Sequence, residues 1–470
     1  FCGALIILMI DVFCGKKFKN ICFFSHLASL IFTCLAIYAL VKNFTPAGIG
    51  FNDMFESNSF TSLMKAVALG LLAIVILFSL NFVVDNKKIS AEFLALLMIA
   101  TTGGMVLISA NDFLVFYLGL ELQALSLYLL AAINKSSAKS AEAGMKYFIL
   151  GSLASGILLF GISLIYGFSG TTNFSAIMDL RDSADKFLTT KLAIGTLFGF
   201  ILVISAMFFK IAAAPFHSWS PDVYEGSPTI VTSFFATIAK LTVTAALIHL
   251  LANINIKMPG IDKIFIFVAI LSLAIGSLGA IFQKNIKRLL AYSSIGHIGF
   301  ILLGLASLTR DGFSVASLYL IIYALISIGS FGFLLLLGSN NKDSDEEDEK
   351  IFNITALSGL SKTNPVMALC LAILMFSSAG IPPLAGFFSK FYILNSAIAH
   401  GFLISAIIAV LFSVISAYYY LRIVKIMYFD EPQKNVIIKN IANIKFIIFA
   451  SAAFNIILIF LLDAILNSSF

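Results

Sequence analysis

An all-α, polytopic membrane protein is what this 470-residue sequence predicts, and three observations carry the expectation. The chain is 60% hydrophobic and 11% charged, whereas soluble domains hold roughly 45–50% apolar and about 25% charged residues. Its apolar residues come in long runs near the ~20 residues that a helix needs to cross a ~30 Å hydrocarbon core at 1.5 Å per residue. Those runs are apolar on every face, whereas strands that cross membranes alternate in polarity.

Taken in order, the runs predict about fourteen spans. The first, 1–14, is too short to cross alone and implies that initial residues are missing. No basic segment precedes it, so it does not read as a signal peptide. Spans 21–41 and 61–84 complete an N-terminal unit, 1–88. Five follow at 89–109, 112–132, 140–167, 192–220 and 229–252, and five more at 263–282, 288–307, 313–338, 364–400 and 402–429. A last one, 444–465, closes the chain within 444–470. Two runs are too long for one crossing: as straight helices 192–220 would reach ~43 Å and 364–400 ~55 Å. The first contains Pro215 and the second Pro382 and Pro383. Proline removes a backbone donor and clashes with the preceding turn, so both are expected to be broken helices. The breaks fall at the seventh and twelfth spans, which suggests two five-helix units, 89–252 and 263–429. Because five is odd, the second would be inverted relative to the first.

Lysine and arginine sort by alternate loops, eighteen on one side against eight on the other. The richer side is expected to be cytoplasmic, which places both termini outside and makes the acidic run "KDSDEEDEK" (342–350) a solvated cytoplasmic loop. The net charge of +6 then reflects topology and gives no reason to expect nucleic acid. The five cysteines form no CxxC and the five histidines are scattered singly, which argues against an iron–sulfur, zinc or paired-haem site. The expectation is therefore no metal, no cofactor and no redox centre in this chain.

Four lysines remain inside the spans, where an ionisable group is expensive and usually functional. By helical rise Lys240 lies ~17 Å deep, Lys390 ~15 Å and Lys210 ~15 Å if its helix resumes after Pro215. None of these snorkels comfortably to a headgroup. Lys146 is ~9 Å deep, so snorkelling or a pair with Glu142 one turn before it competes with a functional role. Glu121 is ~14 Å deep and needs a cation beside it to stay ionised; the bland reading is an ion pair that locks two helices. His297 fits a hydrogen-bonded core histidine nearly as well as a relay. One carboxylate and several amines make neither a metal site nor a nucleophile–base set. Groups whose charge burial and neighbours can reverse suit a proton wire, and a broken helix offers free backbone groups and room for water.

Four stretches carry a resemblance. "PFHSWSPDVYEGSPTIVTSFFATIAK" (215–240), "KYFILGSLASGILLFGISLIYGFSGT" (146–171), "NIKRLLAYSSIGHIGF" (285–300) and "GIPPLAGFFSKFYIL" (380–394) resemble, in that order, the N-subunit family of proton-pumping NADH–quinone oxidoreductase, respiratory complex I. The resemblance implies a fourteen-helix, antiporter-like translocase subunit of a bacterial inner membrane, with Glu121, Lys146, Lys210, Lys240 and Lys390 carrying protons. It implies the family's K and M subunits and the lateral helix of L as neighbours in the lipid bilayer. NADH or another donor, FMN, iron–sulfur clusters and quinone would then belong to partner subunits. The related L and M subunits and Mrp-type cation/proton antiporters share "PFHxWxPD" but usually continue differently after the aspartate, where this chain reads "VYEGSPT". An Mrp-type antiporter subunit or the membrane subunit of a related hydrogenase complex is the alternative.

Overall fold

A computed structural model describes residues 1–14, 21–42, 48–85, 91–177, 191–254, 260–339, 351–432 and 436–461. Helices dominate: α1 (Cys2–Cys14), α2 (Ile21–Lys42), α3 (Ser59–Asp85), α4 (Ala91–Ile108), α5 (Phe113–Ala131) and α6 (Ala138–Ser169) come first. Next are α7 (Lys191–Lys210), the short α8 (Trp219–Gly226), α9 (Thr229–Phe234) and α10 (Lys240–Ile254). After them run α11 (Ile261–Ile281), α12 (Ile286–Leu305), α13 (Arg310–Leu336) and the one-turn α14 (Leu360–Thr363). The last are α15 (Pro365–Ala379), α16 (Ala385–Ala399), α17 (Leu403–Phe429) and α18 (Ala442–Ile457). Among the described residues nine helical segments are long and apolar enough to cross a membrane, and four shorter apolar helices accompany them. The acidic run 342–350 lies outside the described residues.

Local sequence explains the helix ends. Asp112 accepts from the amide of Leu114, Ser137 from that of Ser140, Asn285 from those of Lys287 and Arg288, and Thr309 from that of Gly312. Each satisfies a donor that the first turn leaves open. Gly380 ends α15 in the left-handed region at φ 86°, where an L side chain is strained.

The expectation of a purely helical chain needs one correction. Among the described residues there are two short antiparallel pairs, β1 (Gly48–Gly50) with β2 (Phe55–Ser57), and β3 (Leu337–Ser339) with β4 (Val436–Ile438). Strands of three residues are too short to show a period-two pattern, so only their backbone pairing reveals them.

The pairs mark two ends of the bundle. At the hairpin end Glu56 donates its amide to Ser109, Asn111 to Met54, Phe113 to Thr172 and Phe174 to Asn111. At the other end Ile286 donates to Phe352, Ile354 to Lys284 and Lys439 to Leu336. Loops that the alternate-loop count placed together thus touch each other. The core between them is wide: α13, α9 and α10 are buried nearly throughout.

Candidate functional site: a track of buried cations

Both long runs are interrupted. The first helix stops at Lys210, residues 211–218 are non-helical, and the chain becomes helical again only at Trp219. The depth given for Lys210 assumes a helix that resumes after Pro215, and three further non-helical residues remove that condition. The freed backbone groups find partners: the Ala214 amide donates to Ser272 Oγ at 2.9 Å, and Trp219 Nε1 donates to the Phe209 carbonyl at 2.9 Å. The only tryptophan of the chain therefore closes this break. The second break, 380–384, contains Pro382 and Pro383. Here Gly386 donates its amide to Ser377 Oγ, and a Cβ on Gly386 would sit 1.8 Å from the Ser377 carbonyl oxygen. Only glycine permits that approach.

Three lysines are buried at these features, at 7% exposure for Lys210, 2% for Lys240 and 6% for Lys390. Each leans on neutral groups. Lys210 Nζ donates to Tyr128 Oη and Ser155 Oγ, both at 3.2 Å, and lies 3.5 Å from the Gly151 carbonyl. Lys240 Nζ donates to Ser294 Oγ at 2.6 Å, and Lys390 Nζ to the Ala379 carbonyl at 2.9 Å and Ser413 Oγ at 3.1 Å. A cavity of about 20 Å³ has both Lys210 and Lys240 in its wall, with Gln123 and Trp219. That is room for about one water.

Lys240 follows a feature the sequence did not reveal. Phe235–Ala239 form a π-helical turn between α9 and α10, a local widening frequent at functional sites. From Lys240 the polar groups continue: Ser293 and Tyr420 share a short hydrogen bond, and His297 bonds Tyr420 Oη from Nε2 at 3.0 Å and Tyr319 Oη from Nδ1 at 2.8 Å. Lys240 and Lys390 both act electrostatically on His297. Lys390 Nζ lies 5.1 Å from the centre of the Phe300 ring, which stacks on Tyr319.

Among the described residues Glu121 makes no ion pair, whereas Lys146 makes the pair with Glu142 that the sequence offers. Glu121 forms no ion pair with Lys210. Its Oε1 is buried without a hydrogen-bond partner, while its charge acts on both Lys210 and Tyr128. Tyr128 stands two helical turns along α5 from Glu121, so both share one face; that spacing was visible in the sequence. Lys146 is a paired, partly exposed cation. Its side chain is 42% exposed, and Nζ pairs with Glu142 at 2.7 Å and with Asp222 at 2.9 Å. Asp222 also binds Arg288 at 2.7 Å, and Arg288 reaches Glu225 at 3.0 Å. Partial burial pushes the Asp222 carboxyl up, but the Lys146 and Arg288 bonds outweigh it and hold it below the usual carboxylate range. Arg288 had counted only as a loop charge. Lys65 and Lys287, likewise counted with the loops, are 5% and 4% exposed.

The family model for NADH:quinone oxidoreductase and Mrp antiporter transmembrane subunits matches residues 110–416. NADH-quinone oxidoreductase subunit N of Paramagnetospirillum magneticum is 45% identical over 388 residues, 81% of this chain and 77% of that one. Among solved structures, respiratory complex I from Thermus thermophilus with bound aureothin contains a chain of similar fold. It has a TM-score of 0.82 at 27% identity, covering 99% of this chain and 98% of that one. A chain of the Mrp complex from Dietzia sp. shares the fold at a TM-score of 0.83 and 20% identity, covering 100% and 94%.

Proposed function

The chain belongs to the N-subunit family of NADH-quinone oxidoreductase, the proton-translocating membrane subunits of respiratory complex I, and on that premise we propose how its residues move protons. Lys210, Lys240 and Lys390 pass protons along the bundle, with Glu121 as the electrostatic trigger and His297 as a relay between Lys240 and Lys390, while Lys146, paired with Glu142 and Asp222, stays a fixed cation. The observation that carries this is the company the buried amines keep. A lysine bonded to a carboxylate is locked as a cation. One bonded only to hydroxyls and carbonyls keeps a partner in either state, because a hydroxyl both donates and accepts. Leaving a charge at such a depth costs about 3 kcal/mol on insertion scales, so three are not retained without use. The one-water cavity supplies the hand-off between Lys210 and Lys240. Pro215, Pro382 and Pro383 keep the two breaks open, and with them the free carbonyls.

In this reading the chain holds fourteen spans: 1–88, two inverted five-helix units at 89–252 and 263–429, and 444–470. The hairpin end faces the periplasm, with both termini. The subunits K and M and the lateral helix of L pack against it. NADH, FMN, iron–sulfur clusters and quinone act in partner subunits, and no redox centre lies in this chain. An Mrp-type antiporter subunit would use the same breaks, but 45% identity to a subunit N against 20% to a chain of an Mrp complex favours the first.

The test is a pair of substitutions at one lysine. In assembled complex, Lys240→Gln and Lys240→Arg should both abolish proton uptake by inverted vesicles while electron transfer to an artificial acceptor continues. Arginine keeps the charge but cannot release a proton, so a lysine needed only as a cation would be rescued by it. Full pumping by Lys240→Arg refutes the track.

A further inference from the structure

The far end of α10 carries a polar group that this track does not use. His249 is 2% exposed, and its Nε2 lies 3.5 Å from Glu56 Oε2 on β2. Asn253, one turn on, donates Nδ2 to the same Glu56 oxygen at 2.7 Å and lies 3.3 Å from His249 Nε2. Lys65 on α3 is buried over the Phe55 ring, 4.9 Å from its centre, and acts electrostatically on His249, as Glu56 does. Glu56 is the member nearest solvent, its side chain 19% exposed against 3% for His249. Three titratable groups from three elements therefore meet at the hairpin end, graded from wet to dry.

The hairpin fixes Glu56 in place. Its amide donates to the Ser109 carbonyl at 2.8 Å, and the turn before it runs through the left-handed residues Phe51, Asn52 and Asp53. Asn111 and Asn173 both donate Nδ2 to the Asp53 carbonyl at 2.9 Å. A loop pinned this often holds the Glu56 carboxylate against a buried imidazole.

We propose that Glu56, His249 and Asn253 form a proton port between the solvent of the hairpin end and the buried lysine track; the proposal rests on the proton-translocation reading above. The donor count gives the step. An amide nitrogen can donate to Nε2 only when that atom is unprotonated, so the Asn253 contact belongs to the neutral ring with its proton on Nδ1. When protonated Glu56 gives its proton to Nε2, the carboxyl O–H breaks and an N–H forms. The carboxylate then accepts from the new N–H, and Asn253 loses only the ring nitrogen, keeping Glu56 and the Asn111 side-chain oxygen as acceptors. Release of the other proton from Nδ1 leaves a neutral ring again. A proton enters at one nitrogen and leaves at the other, and the Lys65 ammonium nearby favours its departure.

Inward, Thr242 shares the His249 face of α10, seven residues and ~10 Å away. Thr242 Oγ1 accepts from Gln123 Nε2 at 2.7 Å, and Gln123 stands in the wall of the cavity with Lys210 and Lys240. The ~10 Å from Thr242 to His249 is the stretch a proton from the port has to cross to reach the track.

The experiment uses the whole complex reconstituted in vesicles, with pH set separately on the two sides. Glu56→Gln keeps the size of the side chain and an oxygen for Asn253, so a mere tie between hairpin and helix survives it. It is expected to lower proton translocation to about a tenth, a modest share of what positioned proton carriers contribute, and to flatten the dependence on hairpin-side pH alone. His249→Gln should do the same, and Glu56→Asp should restore part of the rate. Wild-type translocation with an unchanged hairpin-side profile in Glu56→Gln overturns the port, and that variant decides alone if His249→Gln does not assemble. Lys240→Arg in the same vesicles separates the two ideas. If it pumps, the underlying reading fails; if it is dead while Glu56→Gln and His249→Gln pump normally, only the port fails.

Discussion

Replacing Tyr128 with phenylalanine removes one oxygen and leaves the ring, which makes it the sharpest probe of Lys210. That oxygen is one of three neutral groups around the Lys210 Nζ, at 3.2 Å, beside Ser155 at 3.2 Å and the Gly151 carbonyl at 3.5 Å. It sits in a notch that glycine provides, since a Cβ on Gly151 would lie 2.1 Å from it. A hydrogen bond to a charged group contributes about 1.5–3 kcal/mol, and each 1.4 kcal/mol is about tenfold. Tyr128→Phe should therefore slow proton translocation by about 10–100-fold, because the protonated amine loses a partner that the aromatic ring does not replace. The assay is proton uptake by inverted vesicles, normalised to assembled complex, with artificial-acceptor activity unchanged. Because Glu121 acts on Tyr128 and Lys210 without bonding either, Glu121→Gln combined with Tyr128→Phe should cost less than the two separate losses together. Translocation within about twofold of wild type in assembled Tyr128→Phe would refute the claim that these contacts hold the proton on Lys210.

The charge cluster and the second break give two further expectations. Asp222→Asn should raise amide exchange across Trp219–Gly226 at neutral pH, read by mass spectrometry on the complex, because Lys146 and Arg288 both lose a charged partner. The folded carboxyl titrates below its unfolded value, so its stabilisation is present above about pH 4 and fades as pH falls through the lower, folded value. Wild-type protection should weaken only in that acid range, whereas the variant should show no such step. Gly386→Ala should prevent accumulation of assembled complex, since its methyl would meet the Ser377 carbonyl oxygen; normal assembly would show that the break relaxes.

What the sequence made legible was the set of costly residues, and what it hid was their partners. Lys210, Lys240 and Lys390 stood out because a lysine in an apolar run is expensive wherever it lands. Helical rise can be counted along the helix of Lys240, which is continuous but for one π turn, and not along that of Lys210, where eight non-helical residues follow. Serine and tyrosine carry no comparable signal. Ser294, Tyr420 and Tyr128 matter through contacts between distant helices, and such contacts need the fold. Arg288 counts as a loop charge because it stands at the edge of a span, and its partners Asp222 and Glu225 lie in a different loop between spans, far away in sequence. His249 went unremarked because a lone histidine in an apolar helix is ordinary until a carboxylate is placed beside it.

The two breaks look alike in sequence but treat their lysines differently, and the difference bears on direction. In the second break Lys390 donates to the Ala379 carbonyl, the last residue of the helix that breaks, so the amine and the opened backbone form one unit. In the first, Trp219 takes the Phe209 carbonyl and Ser272 the Ala214 amide, and Lys210 turns away toward α5 and α6. Any motion that reseats the second break must change the partners of Lys390 directly. Motion at the first reaches Lys210 through Tyr128 and Ser155, the same groups on which Glu121 acts or to which the amine is bonded. On the proposed function, Lys210 would thus respond to charge and Lys390 to backbone geometry. A proton track with an electrostatic entry and a conformational end has a built-in order, which two identical breaks would lack.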